Sequence, residues 1–447
     1  MSVTLDNEEY AALRDLGLRL DLTRGKPSLE QLDLMTFPGD DDYKAADGTD
    51  CRNYGGLTGL PELREIFSGF LQVPAAQLVA LGNSSLTLMH DIVAHALLFP
   101  LPGSSSGWLG NSAFLCPVPG YDRHFAVCEK FGIEMIQVPM LSDGPDMNVV
   151  EELVAADPRI KGMWCVPKYS NPTGACYSSA TIERLARMRA AAGDFRLFWD
   201  NAYAVHYLTP DGPAQIAPVL DACERAGNGD RPFVFGSTSK ITYAGAGVAF
   251  FGSSPANVSW FVGHLAKQTI GPDKVNQLRH VRLLRSADGV LELMDRHRQI
   301  LAPKFALVDE ILRDGLTGIA WWTLPEGGYF MTLDVPDGCA SAVVRLAADA
   351  GIALTPAGAT HPYGRDPRDR TIRLAPTFPS LTDLEQAMRG LVTCVRLAAG
   401  RLPTVRASTA LHFRPVRKDR AASGAPRTRS PRCPTGPAGH RAPDAER

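Results

Sequence analysis

The sequence predicts an α/β protein with a mainly parallel sheet, followed by a smaller α+β domain. Between about residues 79 and 252, apolar runs of strand type alternate with longer helical patterns, which indicates βαβ units. Beyond Gly252 the pattern becomes mostly helical, and short strands return only further along the chain. A chain of 447 residues is also long enough for two or three domains.

Composition argues against several classes of protein. With 45% apolar residues, 21% charged residues and a net charge of −2, we expect neither nucleic acid nor a membrane surface as a partner. The nine cysteines have no C-x-x-C pair and no metal-ligand spacing, so we expect free thiols, a cytoplasmic protein and no metal site. The N-terminus has no apolar leader, and no apolar run approaches the roughly 18 residues of a membrane span.

Two glycine-rich turns precede the first strand of the predicted sheet. The turn at residues 21–28 is either a plain loop or a backbone bend that lets Gly25 approach a ligand closely. The turn at residues 53–61 contains Tyr54 and leads into an amphipathic helix.

Residues with ligand-binding potential directly follow the predicted strands. They are Gly82, Tyr121, Asn171, Asp200 and Lys240. Ligands of open α/β sheets bind beyond the carboxyl ends of strands, so we expect these positions to converge. Ser84 and Ser85 open a helix, where free backbone N–H groups can bind an anion, although an ordinary N-cap has the same pattern.

Lys240 follows one of these strands within a run of hydroxyl residues that includes Ser237 and Ser239. Burial lowers the pKa of an ammonium group, and the free amine can then condense with a carbonyl. The neighbouring hydroxyl and N–H groups suit a phosphate. This combination supplies what pyridoxal phosphate (PLP) requires, an amine for its aldehyde and an anchor for its phosphate.

The motifs resemble those of fold-type I PLP-dependent aminotransferases. The shared motifs are Asn171-Pro-Thr-Gly, Asp200-x-x-Tyr203, Ser237-x-Ser-Lys240 and Arg373. Further stretches are similar to the aspartate aminotransferase branch, and these are Thr23-Arg-Gly-Lys-Pro-Ser, Arg52-Asn-Tyr-Gly-Gly-Leu, Gly82-Asn-Ser-Ser-Leu-Thr-Leu-Met-His-Asp and Thr269-Ile-Gly-Pro-Asp-Lys. The resemblance covers about residues 10–395.

The resemblance implies a domain organisation. A mainly parallel seven-stranded sheet is expected in a large PLP-binding domain at residues 51–295, and residues 1–50 and 296–400 are expected to form the smaller domain. It also implies a homodimer with shared active sites.

The resemblance further implies the reaction and the residues that perform it. The amino group of an amino acid, with L-aspartate as the leading candidate, would pass to a 2-oxo acid such as 2-oxoglutarate by a ping-pong Schiff-base mechanism. Lys240 would bind the cofactor aldehyde and later move a proton, Asp200 would pair with the pyridine nitrogen, and Tyr121 would stack on the ring. Asn171 and Tyr203 would hydrogen-bond the phenolic oxygen.

Other residues would bind the phosphate and the substrate. The expected phosphate ligands are Ser84, Ser85, Ser237 and Ser239, with Tyr54 contributed by the neighbouring subunit. Arg373 would bind the substrate α-carboxylate as a bidentate fork, with Gly25 and Asn171 beside it. The alternative for Arg373 is an unpaired arginine in the core, which would be costly.

The sequence departs from the family pattern at the phosphate site. Many relatives have a phosphate-binding arginine eight residues after the lysine, where this chain has Val248. The residue that would recognise a distal carboxylate is also open between Lys274, Arg24 and Lys26, each of which could equally be a solvated surface cation.

Three alternative functions are considered. The first is a PLP-dependent enzyme with a different reaction or substrate, either a β-lyase or an aminotransferase for other amino acids. The second is a PLP-sensing transcription regulator, which the early start of the family match and the acidic body disfavour. The third, a serine hydrolase at Ser84, fails because Leu86 stands where the motif requires glycine.

From residue 401 onward the chain has a different composition. It is rich in Arg, Pro and Ala, with eleven Lys and Arg residues against three Asp and Glu residues. We expect a disordered tail at residues 401–447 without a function in the reaction, the alternative being a contact with an acidic partner.

Overall fold

The computed structural model describes residues 2–23, 25, 27–34 and 42–400. Arg24, Lys26 and the predicted tail at residues 401–447 therefore lie outside the described residues. None of the helices in the described ranges combines the length and the apolar character that crossing a membrane requires.

Helices and strands alternate along the described residues. The α-helices are Ser2–Asp15 (α1), Leu29–Leu32 (α2), Pro61–Leu71 (α3), Ser85–Leu98 (α4), Asp122–Phe131 (α5), Met147–Ala156 (α6), Ser179–Arg187 (α7), Val219–Arg225 (α8), Pro255–Gln268 (α9), Lys274–Leu284 (α10), Ala287–Leu316 (α11), Ala340–Asp349 (α12) and Leu381–Ala399 (α13). The strands are Leu20–Asp21 (β1), Leu78–Leu81 (β2), Ala113–Val118 (β3), Glu134–Leu141 (β4), Gly144–Pro145 (β5), Ile160–Cys165 (β6), Arg196–Asp200 (β7), Pro232–Ser237 (β8), Ala249–Gly252 (β9), Trp321–Trp322 (β10), Met331–Asp334 (β11), Ile352–Ala353 (β12) and Thr371–Leu374 (β13).

The largest sheet has the strand order β2-β9-β8-β7-β6-β3-β4-β5. The pairs within β8-β7-β6-β3-β4 are all parallel, whereas β9 runs antiparallel to both of its neighbours. The prediction of an α/β fold with a mainly parallel sheet is confirmed. The described residues form eight strands in this sheet instead of seven, because residues 144–145 turn back against the end of β4 as a two-residue antiparallel strand.

The central strands of this sheet are buried on both faces. In β8, Phe233 and Phe235 pack in one apolar layer and Val234 packs in the other, because successive side chains of a strand point to opposite faces. Strands covered on both faces are apolar throughout, so polar residues are confined to their ends. In β7 this change comes at Asp200, which is the last residue of the strand.

Two smaller sheets contain strands of the C-terminal part of the chain, and one of them also includes the N-terminal segment. The sheet β10-β11-β13 is antiparallel, and it places Arg373 opposite Thr332. The strand β1 pairs with β12, where Leu20 lies opposite Ile352. This pairing agrees with a smaller domain built from both ends of the chain, while its boundaries at residues 50, 296 and 400 stay predictions.

Candidate active site

The candidate site lies at the carboxyl ends of β6, β7 and β8. Asp200 ends β7, Lys240 follows the end of β8, and Asn171 lies in the loop that follows β6. Because these strands are parallel neighbours, their carboxyl ends meet at one edge of the sheet. The predicted convergence of these residues is therefore present in the structure.

Lys240 lies half-buried at the centre of this edge. Its Nζ is 5.1 Å from the centre of the Tyr203 ring. Burial lowers the pKa of Lys240, and the nearby Asp200 carboxylate partly opposes this effect by favouring the ammonium form. The lysine consequently has a larger fraction of free amine at neutral pH than an exposed lysine has, as a nucleophilic amine requires.

Asp200 is almost fully buried, and a histidine that the sequence analysis missed contacts it. His124 Nε2 lies 3.1 Å from Asp200 Oδ2, while Asp200 Oδ1 has no hydrogen-bond partner among the described residues. The imidazole of His124 stacks on Trp164 with ring centres 4.4 Å apart. Asp200 thus presents a buried, unpartnered carboxylate oxygen, which can accept a hydrogen bond from a ligand.

The spacing between Tyr121 and His124 in the sequence could have identified His124 as a site residue. Tyr121 is the N-cap of α5, and His124 lies three residues later on the first turn of the same helix. Residues at this spacing share one face of a helix, so both rings can reach one site. The Tyr121 ring lies edge-on to His124, and burial together with Asp200 and Asp122 raises the pKa of Tyr121 to about 12.

Replacing His124 with phenylalanine should leave Asp200 without a hydrogen-bond donor on either oxygen. We expect the free energy of unfolding to fall by about 1–3 kcal/mol and kcat to fall about tenfold. Urea unfolding and steady-state kinetics measure both quantities. His90→Phe is the control, because His90 hydrogen-bonds its neighbour Asp91 and contacts the ring of Phe131 instead of Asp200. Wild-type kcat in His124→Phe would contradict the assigned contact.

Arg373 reaches the same site from β13. Its Nη1 donates to Asp122 Oδ1 over 2.7 Å and to Asn171 Oδ1 over 3.4 Å. The guanidinium carbon lies 4.9 Å from the centre of the Phe330 ring, and Nε has no partner in the described structure. Arg373 is therefore not an unpaired core arginine. Asp122, which the sequence analysis did not identify, holds one side of the guanidinium and leaves Nε for another ligand.

Phe330 lies against both Gly25 and Arg373. A Cβ atom built on Gly25 would lie 2.5 Å from Cζ of the Phe330 ring, so a side chain at this position would collide with the ring. Phe330 in turn lies against the Arg373 guanidinium. Gly25 thus lies against Phe330, and its predicted close approach to a ligand stays a prediction.

The four predicted phosphate serines lie in two adjoining turns. Ser237 Oγ donates to Ser239 Oγ, and Ser239 Oγ donates to the carbonyl of Asn83, each over 3.1 Å. Asn83 immediately precedes Ser84, the N-cap of α4, and the Ser84 side chain makes no capping hydrogen bond. The structure therefore brings the serines together at the start of a helix, where backbone N–H groups favour an anion.

A buried histidine supports the turn that carries Lys240. His280 Nδ1 lies 2.8 Å from the carbonyl of Asn276, so this nitrogen carries the proton and Nε2 accepts. Nε2 lies 2.9 Å from the Thr242 hydroxyl and 3.3 Å from the Thr238 hydroxyl. Val248, which replaces the expected arginine, is buried and donates its backbone N–H to the Thr238 hydroxyl over 2.8 Å.

A second buried network reaches the backbone of Lys240 from α2, α11 and the residues just before β11. The hydroxyl of Tyr329 donates to the Lys240 carbonyl over 3.2 Å and accepts from Gln31 Nε2 over 3.0 Å. Gln31 Nε2 also lies 2.8 Å from His297 Nδ1, and its Oε1 accepts the backbone N–H of Ser28. The N-terminal segment is thereby connected to the backbone of the lysine.

Replacing Tyr329 with phenylalanine tests this connection. Both Gln31 and the Lys240 carbonyl would lose a buried hydrogen-bond partner, so the free energy of unfolding should fall by about 1–3 kcal/mol. Chemical denaturation of Tyr329→Phe and of Tyr363→Phe measures the effect, because Tyr363 is half-exposed and serves as the control. Equal unfolding free energies for both variants would contradict the importance of the network.

Tyr54 and Lys274 lie together at another turn. Lys274 is buried, and its Nζ donates to the carbonyls of Asn53 and Gly55, each over 2.7 Å. The side chain of Tyr54 between them is exposed. Lys274 thus holds the turn that presents Tyr54, and the predicted contacts of both residues with ligands stay predictions.

Comparison with known proteins identifies the family. Residues 2–405 match the family model described as aspartate amino-transferase. An aspartate aminotransferase of Corynebacterium glutamicum is 51% identical over 399 residues, which cover 88% of this chain and 92% of the relative. The solved structure of an aspartate transaminase from this species has a TM-score of 0.86 at 50% identity and covers 89% of this chain and 95% of its own. The α-aminoadipate aminotransferase of Thermus thermophilus, at 20% identity and a TM-score of 0.70, shares the fold. The resemblance found in the sequence is therefore confirmed, and the chain belongs to the aspartate aminotransferase family.

Proposed function

We propose that this protein is a PLP-dependent aminotransferase that transfers the amino group of L-aspartate to a 2-oxo acid such as 2-oxoglutarate. The observation that carries the proposal is the buried Oδ1 of Asp200, which lies at the same end of the sheet as Lys240 and has no hydrogen-bond partner within the described part of the chain. A carboxylate in this position is suited to a protonated ring nitrogen. Family membership and the aspartate aminotransferase relatives at about half identity support the same activity.

The residues at the site fit PLP in three respects. Lys240 has the lowered pKa that attack on an aldehyde requires. Asp200 offers a buried acceptor for the pyridine nitrogen, and the serine turns at the start of α4 offer hydroxyl and N–H donors for the phosphate. When bound, PLP supplies an aldehyde that captures amines and a ring that accepts electrons from the substrate α-carbon.

Each side chain then has a separate task. Lys240 Nζ would hold the cofactor and, once the substrate amine has taken its place, move a proton from the substrate α-carbon. Asp200 would retain the proton on the ring nitrogen, with His124 orienting the carboxylate. Tyr203 and Asn171 would donate hydrogen bonds to the phenolic oxygen, and Tyr121 would cover one face of the ring.

The substrate carboxylates require cationic partners. Arg373 would bind the α-carboxylate through its unpartnered Nε and the adjacent Nη2, while Asp122 holds Nη1 from the other side. For the distal carboxylate of aspartate we propose Lys274 or Arg24. A substitution of each by alanine, compared for aspartate and alanine as amino donors, decides between them, because only the residue that binds the distal carboxylate should change the ratio.

We further propose a cytoplasmic homodimer. The side chains of Tyr54 and Ile270 are 80% and 64% exposed, and the backbone N–H of Gly55 donates to the Ile270 carbonyl over 3.1 Å. Two adjoining turns therefore present large apolar side chains to solvent, which is typical of a surface that pairs with another subunit. Tyr54 would reach the phosphate site of that neighbouring subunit.

Transfer of nitrogen between defined substrates tests the proposed function. The protein is incubated with PLP, ¹⁵N-labelled L-aspartate and 2-oxoglutarate, and the products are identified by mass spectrometry. We expect ¹⁵N-labelled glutamate and oxaloacetate in equal amounts. Release of pyruvate, ammonia and a thiol from an S-substituted cysteine, without labelled glutamate from aspartate, would instead indicate a β-lyase, and labelled glutamate formed only from another amino donor would change the assigned substrate. Specific binding to operator DNA without turnover would overturn the proposal in favour of a regulator.

A further inference from the structure

A polar cavity lies at the starts of β7 and β8, at the opposite end of these strands from the candidate active site. It has a volume of about 480 Å³, and four arginines are among its lining residues. They are Arg187, Arg189, Arg196 and Arg231, and we call their site the arginine cavity. Arg196 begins β7, and Arg231 directly precedes β8. These strands carry Asp200 and Ser237 at their other ends, so the arginine cavity is separate from the candidate active site.

Two of these arginines are buried without an ion pair in the described structure. Arg196 is 2% exposed and Arg231 is 7% exposed. Arg231 Nη1 donates to the carbonyls of Leu185 and Ala186, each over 2.9 Å. Arg196 donates weakly to the carbonyls of Phe195 and Pro102, and its Nε has no partner among the described residues.

Nearby carboxylates offset only part of this positive charge. Among the residues that the structure describes, Asp230 is the one acidic residue lining the cavity, and the Ser254 hydroxyl donates to its Oδ1. Asp194 pairs with Lys161 over 2.8 Å. Burial lowers the pKa of Arg196 to about 10, with Asp230 and Asp194 opposing this effect and the second buried arginine adding to it. Four guanidinium groups therefore surround the cavity against a single lining carboxylate.

Hydrogen bonds to backbone carbonyls explain why the buried side chains here are hydrogen-bond donors, but they do not explain why these side chains are charged. A neutral amide could donate to the same carbonyls, whereas a buried guanidinium without a counter-charge carries a large desolvation cost. The two rim arginines add to this charge, since Arg189 is exposed and Arg187 has a solvent-exposed pair with Glu183 over 3.2 Å. An anion in the cavity would offset the cost and would find forked donors on several sides.

We propose that the arginine cavity binds a small phosphate-bearing anion. Its volume lies within the usual range of small-molecule sites, and arginine is the side chain best suited to phosphate oxygens. The site is independent of the transamination proposed above, because no residue of the candidate active site lines it.

Calorimetric titration of the holoenzyme with pyrophosphate and with ATP tests this site, and the two ligands distinguish a bare diphosphate from a nucleotide. We expect one binding site per chain for at least one ligand. Arg189→Glu should weaken binding by about tenfold or more, because it replaces an attractive charge with a repulsive one. Arg345→Glu is the matched control, since Arg345 is exposed on α12 and does not line the cavity.

Arg196→Met provides a second measurement at the buried side of the cavity, and it should abolish binding if the variant folds. If Arg196→Met does not fold, the result for Arg189→Glu decides whether the cavity binds the anion. Failure of both ligands to bind with a Kd below about 10 mM would overturn the proposal, as would equal affinities of the wild type and Arg189→Glu.

Discussion

Replacing Lys240 with alanine is expected to lower kcat by at least about 10⁴-fold. Removing Nζ takes away both the group that attaches the cofactor and the base at the substrate α-carbon. Borohydride treatment followed by peptide mass spectrometry should find the cofactor on Lys240 in the wild type and on no peptide of the variant. This second measurement reports attachment without relying on turnover.

Lys168 provides the matched control for this substitution. Lys168 is buried, burial lowers its pKa to about 8, and its Nζ donates to the carbonyl of Ala204 over 2.9 Å. Lys168→Met should therefore lose stability but keep the covalently attached cofactor. Attachment that survives in Lys240→Ala and disappears in Lys168→Met would show that the reactive lysine has been misassigned.

Replacing Arg373 with lysine is expected to lower kcat/KM for aspartate by about 100-fold or more. A lysine keeps the positive charge, but it cannot form the two parallel hydrogen bonds that a guanidinium makes with a carboxylate. Most of the decrease in kcat/KM should come from a higher KM, because the α-carboxylate is bound in the ground state as well as in the transition state.

Arg370→Lys is the control for Arg373→Lys. Arg370 lies just before β13 and pairs with Asp334 over 3.1 Å, so this substitution should leave kcat/KM near the wild-type value. Dissociation constants for a dicarboxylate inhibitor such as succinate should follow the same order. An Arg373→Lys variant that binds succinate as tightly as the wild type does would contradict the proposed bidentate binding of a carboxylate by Arg373.

The convergence of Asp200 and Lys240 could be predicted because each lies at or just after the end of a strand. Asp200 and Lys240 stand out in sequence as polar residues after apolar runs, and parallel strands bring such positions to one edge. The family motifs added Arg373, which lies 133 residues beyond Lys240 and has no local signal of its own. Its placement depends on the antiparallel pairing of β11 and β13.

The residues that hold these side chains in position were not predicted, because their partners are distant in sequence. His124 meets Asp200 across 76 residues, and Gln31 meets Tyr329 across 298 residues. Hydrophobic periodicity reports which face of an element is buried but not which polar group it meets there. The strand β5 was missed for a different reason, since two residues are too few to show alternation.

The most direct test of the central claim is the visible absorbance of the purified protein during stepwise addition of L-aspartate and then 2-oxoglutarate. A PLP-dependent aspartate aminotransferase should be yellow, should lose this colour with aspartate and should regain it with 2-oxoglutarate, because the two half-reactions are separate. A yellow protein that responds to a different amino acid would keep the enzyme class and change its substrate. A colourless protein that takes up no PLP would contradict the account.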